Sequence, residues 1–228
     1  MTISIIIPTY NEAEHISQLV LELQQHGGNS VIEIMVIDGG SQDNTPSKAQ
    51  AAGAIVLSSP LKGRAAQMNY GATYAKGDIL YFVHADVKIP ASYVTDIEEA
   101  LTEVYELGCY RYQFDSPKFM LKINAYFTRF SFLFCRGGDQ TLYITRTLFD
   151  QLGGFDERFV IMEDYDILVR ATRLARLKII PKNALVSARK YENNSWLRVQ
   201  LANLTAMLLF NFKANPQRIA RTYKKMLK

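Results

Sequence analysis

The chain opens on Ile3-Ser4-Ile5-Ile6-Ile7-Pro8, a β-branched run stopped by a proline, which reads as a buried strand. In residues 12–25, Ile16, Leu19, Val20 and Leu23 fall at helical spacing, and Gly27-Gly28 ends that helix. Residues 31–37 form a second buried strand that ends at Asp38. Gly39-Gly40-Ser41 is a turn, and Thr45-Pro46 opens a short helix. A strand over 54–57, an Ala-rich helix over 64–75 and a strand over 79–83 complete a βαβαβαβ series with short connections. This order predicts an α/β fold with a doubly wound, mostly parallel sheet. Ligands of such sheets sit beyond the carboxyl ends of the strands, where Tyr10, Asp38 and Asp86 fall.

The second half changes character. The patterns predict a helix over 90–107, a strand over 110–114 and an aromatic, basic helix over 119–134. A strand over 141–144 is followed by the Gly153-Gly154 turn, a helix over 162–174 and a strand over 177–180. Terminal helices cover 195–212 and 216–226. With no repeat, low-complexity tract or long linker, this is one domain: a main body over 1–190 and a basic helical extension, 191–228, packed on it.

At 228 residues, 48% hydrophobic and 21% charged, the composition is globular and excludes collagen-like, low-complexity and disordered chains. Cys109 and Cys135 form no disulfide framework and fit no zinc spacing, so a reducing cytosol is the expected compartment. The net charge of +4 is unevenly spread. From Tyr165 onward fourteen Lys and Arg stand against Asp166 and Glu192, a net +12, which leaves −8 for the preceding residues. Such asymmetry suits an anionic partner (nucleotide phosphate, anionic lipid or nucleic acid), or it is a solvated basic tail. The N-terminal apolar run lacks a basic flank and reads as a strand rather than a signal peptide. The apolar stretch 204–212 is short of the ~20 residues that span a bilayer. The chain is expected not to cross a membrane, though it could lie on one.

Four places carry chemistry. Asp38, before Gly39, Gly40 and Ser41, either accepts from a base N–H or ribose hydroxyl or bonds its own turn. His84 and Asp86 are two residues apart and would converge on an extended chain, where an oxygen ligand for Mg²⁺ or Mn²⁺ could meet a diphosphate; the alternative is an Asp capping the next segment. Glu163-Asp164 either complements a helix N-terminus or supplies a general base, with Asp164 aimed into the cleft. Arg189 and Lys190 are diphosphate ligands or surface charge. No G-x-G-x-x-G dinucleotide fingerprint follows the first two strands.

In their order these stretches resemble family 2 glycosyltransferases of the GT-A fold. The matching runs are Ser4-Ile5-Ile6-Ile7-Pro8-Thr9-Tyr10-Asn11-Glu12, Val36-Ile37-Asp38-Gly39-Gly40-Ser41 and Gly63-Arg64-Ala65-Ala66-Gln67-Met68-Asn69. They continue with Phe82-Val83-His84-Ala85-Asp86, Gly137-Gly138-Asp139-Gln140 and Glu163-Asp164-Tyr165-Asp166-Ile167. The Gly-Arg-x-x-Gln-x-Asn and His-Ala-Asp forms resemble a small bacterial subgroup found near radical-SAM and selenium-related genes. The resemblance implies that 1–190 is a nucleotide-sugar-binding, catalytic GT-A domain. It implies that Pro8, Tyr10 and Glu12 line the nucleoside, Asp38 contacts the base and Arg64 meets phosphate or ribose. Asp86 would hold a divalent cation, Mg²⁺ or Mn²⁺, with His84 standing where the commoner Asp-x-Asp pattern has its first Asp. Gly138, Asp139 and Gln140 would line the acceptor side, Asp164 would deprotonate the acceptor hydroxyl, and Arg189 with Lys190 would steady the departing diphosphate.

The implied activity is inverting, metal-assisted and non-processive transfer of one sugar from a nucleotide-diphosphate sugar, with UDP expected by family frequency. The Gln-x-x-Arg-Trp motif of processive members is missing, and only Ser187-Ala188-Arg189-Lys190-Tyr191 stands near its place. A nucleotidyltransferase on a related sheet is the alternative, but its Gly-rich first loop is replaced by Pro8-Thr9-Tyr10-Asn11-Glu12. A non-catalytic nucleotide-sugar-binding protein is a second alternative, and nucleic-acid binding through the basic C-terminus a third, weaker one. Residues 119–134 interleave five Phe with Lys122 and Arg129, and no acid occurs between Ser116 and Gly138. This segment therefore predicts contact with an anionic membrane surface and a lipid-linked acceptor at the inner face, or else packing on the sheet or in a homodimer.

Overall fold

The computed structural model describes residues 1–136 and 141–227. Eight strands form one sheet: β1 (Ile3–Thr9), β2 (Val31–Asp38), β3 (Ile55–Ser58), β4 (Ile79–Phe82), β5 (Val87–Lys88), β6 (Leu107–Phe114), β7 (Leu142–Thr145) and β8 (Leu177–Val186), in the order β3-β2-β1-β4-β7-β6-β8-β5. The first four are mutually parallel, β7 is antiparallel to β4 and to β6, and β8 runs parallel to β6. The strands are apolar on both faces because both are covered. Ile3, Ile5 and Ile7 point into one cluster, with α1 (Ile16–Gly27) and α4 (Tyr93–Thr102). Ile6, Ile37 and Phe82 point into the other, with α3 (Arg64–Tyr74), α6 (Arg146–Leu152) and α7 (Glu163–Ala171). This is the doubly wound α/β arrangement expected from the sequence. Helices α2 (Thr45–Ala51), α5 (Phe119–Phe127), α8 (Trp196–Asn211) and α9 (Pro216–Met226) complete the described chain. None of the described helices is long and apolar enough to cross a membrane.

The second half departs from the sequence reading in four ways. The helix expected over 90–107 stops at Thr102, the chain reverses at Val104 (φ 65°), and Leu107 instead begins a buried strand. The strand expected to stop before Pro181 runs on to Val186. Ile180 faces Tyr110 and Asn183 faces Arg111, so Pro181 and Lys182 bulge out of the ladder, which removes the need for a proline N–H. The bulge lets Lys182 reach the buried Asp96 carboxylate of α4, which also accepts from Ser92 and Tyr110. The aromatic helix ends at Phe127 rather than 134, because the chain folds back on the buried Arg136, whose guanidinium donates to the Thr128 and Phe130 carbonyls. Helix α6 was not anticipated, though both of its boundary signals are present. The Thr145 hydroxyl accepts from the Leu148 N–H, and Gly153 closes the helix in the left-handed region at φ 70°.

Helix α3 is seated unusually close to the sheet. A Cβ at Gly71 would lie 2.7 Å from Ile6 and 2.9 Å from Ile37, so only glycine allows this approach. On another face of the helix Asn69 holds the chain before α7. It accepts from the Phe155 N–H at 2.9 Å and donates to the Phe155 carbonyl and the Glu157 carboxylate, each at 2.9 Å. Asn69→Ala, which leaves backbone groups of Phe155 without this partner, is expected to cost about 1–3 kcal/mol. The check is urea unfolding, with a lowered midpoint at unchanged slope; an unchanged midpoint would contradict the role.

Candidate functional site

The carboxyl ends of β1 and β2 lead into two loops that are laced together. Asn11, in the left-handed region at φ 57°, donates its N–H to Ser41 Oγ at 2.9 Å and accepts from the Gln42 N–H at 2.8 Å. The Glu12 N–H donates to Thr45 Oγ1 at 2.8 Å. Pro8 is buried beyond the last β1–β4 pair, Ile6 with Phe82, where the ladder needs no donor from it; Tyr10 stands exposed at the rim. Asp38 is buried, and its carboxylate is used by its own turn. Oδ2 accepts from the N–H groups of Gly40 and Ser41, each at 3.0 Å, and Oδ1 from the Ser41 hydroxyl. A carboxylate offers about four lone-pair positions, so one remains for a ligand.

Behind these loops lies Gln67, buried within α3. Its side-chain amide donates to the Thr9 carbonyl at 2.8 Å and to the Ile37 carbonyl at 2.6 Å, bridging the ends of β1 and β2. At the start of the same helix Arg64 pairs with Glu163, Nε to Oε1 at 2.8 Å, and Glu163 is almost wholly buried at 1% exposure. Sequence reasoning aimed Arg64 at phosphate or ribose and gave Gln67 and Asn69 no role. The signal was available in three long polar residues on an otherwise Ala-rich helix.

Strand β4 ends at Phe82, and residues 84–86 lie in a turn, closed by the Val87 N–H on the His84 carbonyl at 3.3 Å. The extended geometry expected for His84 and Asp86 is therefore replaced by a turn, and the two side chains take different partners. Asp86 Oδ2 accepts from Arg189 Nη2 at 3.0 Å, and the same nitrogen lies 3.1 Å from Glu12 Oε1, so Arg189 joins Glu12 to Asp86. His84 Nε2 lies 3.9 Å from Asp164 Oδ2, in contact but beyond hydrogen-bond reach. Burial, reinforced by the nearby Arg64 charge and opposed by Asp86, lowers the His84 pKa to about 3, so this imidazole is neutral. Asp164 lies in the first turn of α7, directly after Glu163, and Met162 enters the helix at φ 71°, a costly conformation for a bulky side chain.

The structure thus brings Glu12, His84, Asp86, Asp164 and Arg189 into one continuous cluster beside the laced loops. Lys190 is not part of it. Its ammonium donates to the Tyr223 hydroxyl of α9 and lies 4.9 Å over that ring. Gly138, Asp139 and Gln140 lie outside the described residues. A pocket lined by His15, Leu19, Asp86, Lys88 and Ser187 reaches Asp86 from the α1 side. Among the described residues no three His, Cys, Asp or Glu side chains gather into a self-sufficient metal site. One carboxylate and one neutral imidazole nevertheless fit a divalent cation whose other ligands come from a diphosphate and water.

The family model of Glycosyl transferase family 2 matches residues 4–155. The chain belongs to this family, and its sheet and helices make the GT-A fold. It is 35% identical over 99 residues to the glucosyl-3-phosphoglycerate synthase of Mycolicibacterium smegmatis, a match covering 39% of this chain and 32% of that protein. The chain thus spans about a third of the length of that curated relative. A crystal structure of glucosyl-3-phosphoglycerate synthase from Mycobacterium tuberculosis, in complex with Mn²⁺, UDP-glucose and phosphoglyceric acid, superposes with a TM-score of 0.68. That match has 18% identity and covers 93% of this chain and 80% of that one. A mannosyltransferase of Pyrobaculum calidifontis in complex with GDP-Man and Mn²⁺ gives a TM-score of 0.70 at 18% identity, covering 98% and 69%.

The Arg64–Glu163 pair joins α3 to α7, so the two charges should be energetically coupled. A double-mutant cycle of Arg64→Met and Glu163→Gln in urea unfolding is expected to return a coupling of about 1–3 kcal/mol, allowing for the partial exposure of Arg64. A coupling near zero would show that the pair does not hold α7 in place.

Proposed function

We propose that this chain transfers a single sugar from a nucleoside-diphosphate sugar to a hydroxyl acceptor, with inversion at the anomeric carbon. The observation that carries the reading is the cluster of Glu12, Asp86, Arg189 and Asp164 at the carboxyl ends of the strands, in a chain of this family. The laced loops after β1 and β2 form the nucleoside cradle, with Pro8, Tyr10 and Glu12 along it. The free acceptor position on Asp38 suits a base with a ring N–H, such as uracil or guanine. Cytosine would present a lone pair there instead. UDP-sugars are the first donors to try, in keeping with the UDP-glucose bound by one structural neighbour, and GDP-sugars the second.

In the reaction the acceptor oxygen forms a bond to the anomeric carbon as the carbon–oxygen bond to the diphosphate breaks on the opposite face. Asp164 accepts the acceptor's proton, and neutral His84 beside it adds no competing charge. Arg189 turns from Glu12 and Asp86 toward the oxygens of the leaving diphosphate, where a guanidinium binds in a bidentate way. Asp86, with His84, would hold a divalent cation, which when bound supplies further neutralisation of the leaving group. Arg64 acts through Glu163 by fixing the turn that carries Asp164, rather than by touching phosphate. Residues 138–140 are retained as the acceptor wall. Within the family we assign the chain to the bacterial subgroup marked by Gly-Arg-x-x-Gln-x-Asn and His-Ala-Asp.

Two variants test the assignment in the presence of UDP- and GDP-sugars and Mn²⁺. Asp164→Asn should keep donor affinity and lower turnover by about two or more orders of magnitude, whereas near-wild-type turnover removes it from the base role. Asp86→Ala should abolish the Mn²⁺-dependent part of donor binding in a thermal-shift titration. Equal donor binding by that variant with and without Mn²⁺-chelating EDTA, matched by the unmodified chain, would refute the cation assignment. Nucleotide binding with no sugar transfer to any hydroxyl acceptor would favour a binding protein over an enzyme.

A further inference from the structure

Helix α8 is built inside out. The face it turns toward the protein carries Val199, Ala202 and Ala206, all buried, while Leu197, Leu201, Leu204, Leu208 and the capping Phe212 form one stripe on the opposite face, each roughly half exposed or more. A helix with apolar residues on two opposite faces, covered on one side only, has an uncovered apolar face. The stripe does not stand alone. Trp196, at the start of α8, donates to Asn124 of α5 at 3.2 Å, and Lys118 donates to the Tyr191 carbonyl just before α8. From that junction Phe119, Tyr126, Phe127 and Phe132 carry exposed aromatic surface onward along α5 and the segment after it. Exposed apolar area on elements joined in this way, with basic residues along them, marks a candidate interaction surface.

The charged residues carried by α5, α8 and α9 themselves are all basic. Lys213, Arg218, Arg221, Lys224 and Lys225 lie exposed after the α8 stripe, and no acidic residue follows Glu192. Lys122 and Arg129 flank the aromatic part, again with no acid between Ser116 and Arg136. A second copy of the chain laid on this surface would bring like charges together, whereas anionic headgroups complement them while acyl chains receive the leucines and phenylalanines. The surface also borders the site. Phe210 of α8 packs at 5.1 Å on Tyr165, the residue after Asp164, and at 5.3 Å on Phe159; Leu133 packs on the cluster that contains Ile167 and Leu168 of α7.

We propose that the apolar surface of α5, the segment after it and α8, with the basic residues along it, docks on an anionic lipid bilayer, which places the start of α7 at headgroup level and selects an acceptor presented by the membrane. The docking stands independently of the glycosyl-transfer reading; only the acceptor class rests on it. The test is sedimentation of the full chain with vesicles of phosphatidylglycerol mixed with phosphatidylcholine and with phosphatidylcholine alone. Binding to the anionic vesicles, weakened by salt and weakened about tenfold or more by Leu201→Ser with Leu204→Ser, is the expected result. Trp196, the single tryptophan, gives a second readout on the unmodified chain through a blue shift of its emission on the same vesicles. No binding at low salt, or binding indifferent to the two Leu substitutions, overturns the proposal. So does a dimer in light scattering that those substitutions dissolve, since a second copy would then cover the stripe. UDP-sugar affinity measured in parallel on the same variants separates the outcomes, because its loss would count against the donor site and not against the docking surface.

Discussion

The site depends on one buried amide. The β1–β2 ladder runs to its last pair, Thr9 with Asp38, where the Gly39 N–H donates to the Thr9 carbonyl at 2.9 Å, and the carbonyls of Thr9 and Ile37 also face a buried side-chain donor. Gln67 supplies both bonds from a single nitrogen, to Thr9 on β1 and Ile37 on β2, and so fixes how far the two loops stand apart. The requirement propagates. A Cβ at Gly39 would come within 3.1 Å of the Gln67 amide, so any side chain there would press on it, and glycine leaves it undisturbed. One helical turn on from Gln67, Gly71 must be glycine for α3 to come close enough to the sheet for the amide to reach. Arg64 and Asn69, on the same helix, tie down Glu163 and Phe155. A single helix therefore registers the two loops proposed to hold the nucleoside against the segment that carries Asp164.

The electrostatics of the cluster follow from that arrangement. Four carboxylates, those of Glu12, Asp86, Glu163 and Asp164, face two guanidiniums, Arg64 and Arg189, and the imidazole between them is neutral. Carboxyl groups outnumber guanidiniums there, a balance that suits a divalent cation accompanying the proposed donor. Arg189 is the most accessible member of the cluster. It is half exposed, sits in a short turn near the C-terminal helices, and shares one nitrogen between two carboxylates that a donor complex would compete for. Its neighbour Lys190 is directed to Tyr223 instead, which anchors the same turn to α9.

Much of the fold was legible because the first half is repetitive in a physical sense. Each buried strand is a short β-branched run, each helix has its apolar spacing, and Gly or Pro marks each boundary. The second half was harder because its elements end for tertiary reasons. Nothing local to residues 128–136 announces that Arg136 will be buried and will terminate α5, and Pro181 stops a strand only if no bulge absorbs it. The family resemblance implies a common site for Asp86, Asp164 and Arg189. The pairings within it were not legible, because the turn over residues 84–86 and the long reach of arginine are invisible to spacing rules. The exposed leucines of α8 show the opposite limit. Periodicity reports an apolar helix, and only the packed structure reveals that its small residues face inward.

The central claim is that Gln67 sets the geometry of the loops after β1 and β2, which are proposed to hold the donor. It is tested most directly by calorimetric titration of UDP with Mn²⁺ into the unmodified chain and into Gln67→Met, which keeps the bulk and removes both donations; GDP replaces UDP if it is the tighter ligand. The account predicts a dissociation constant weakened by about tenfold or more in the variant. A variant that remains folded and binds the nucleotide as tightly as the unmodified chain would contradict it.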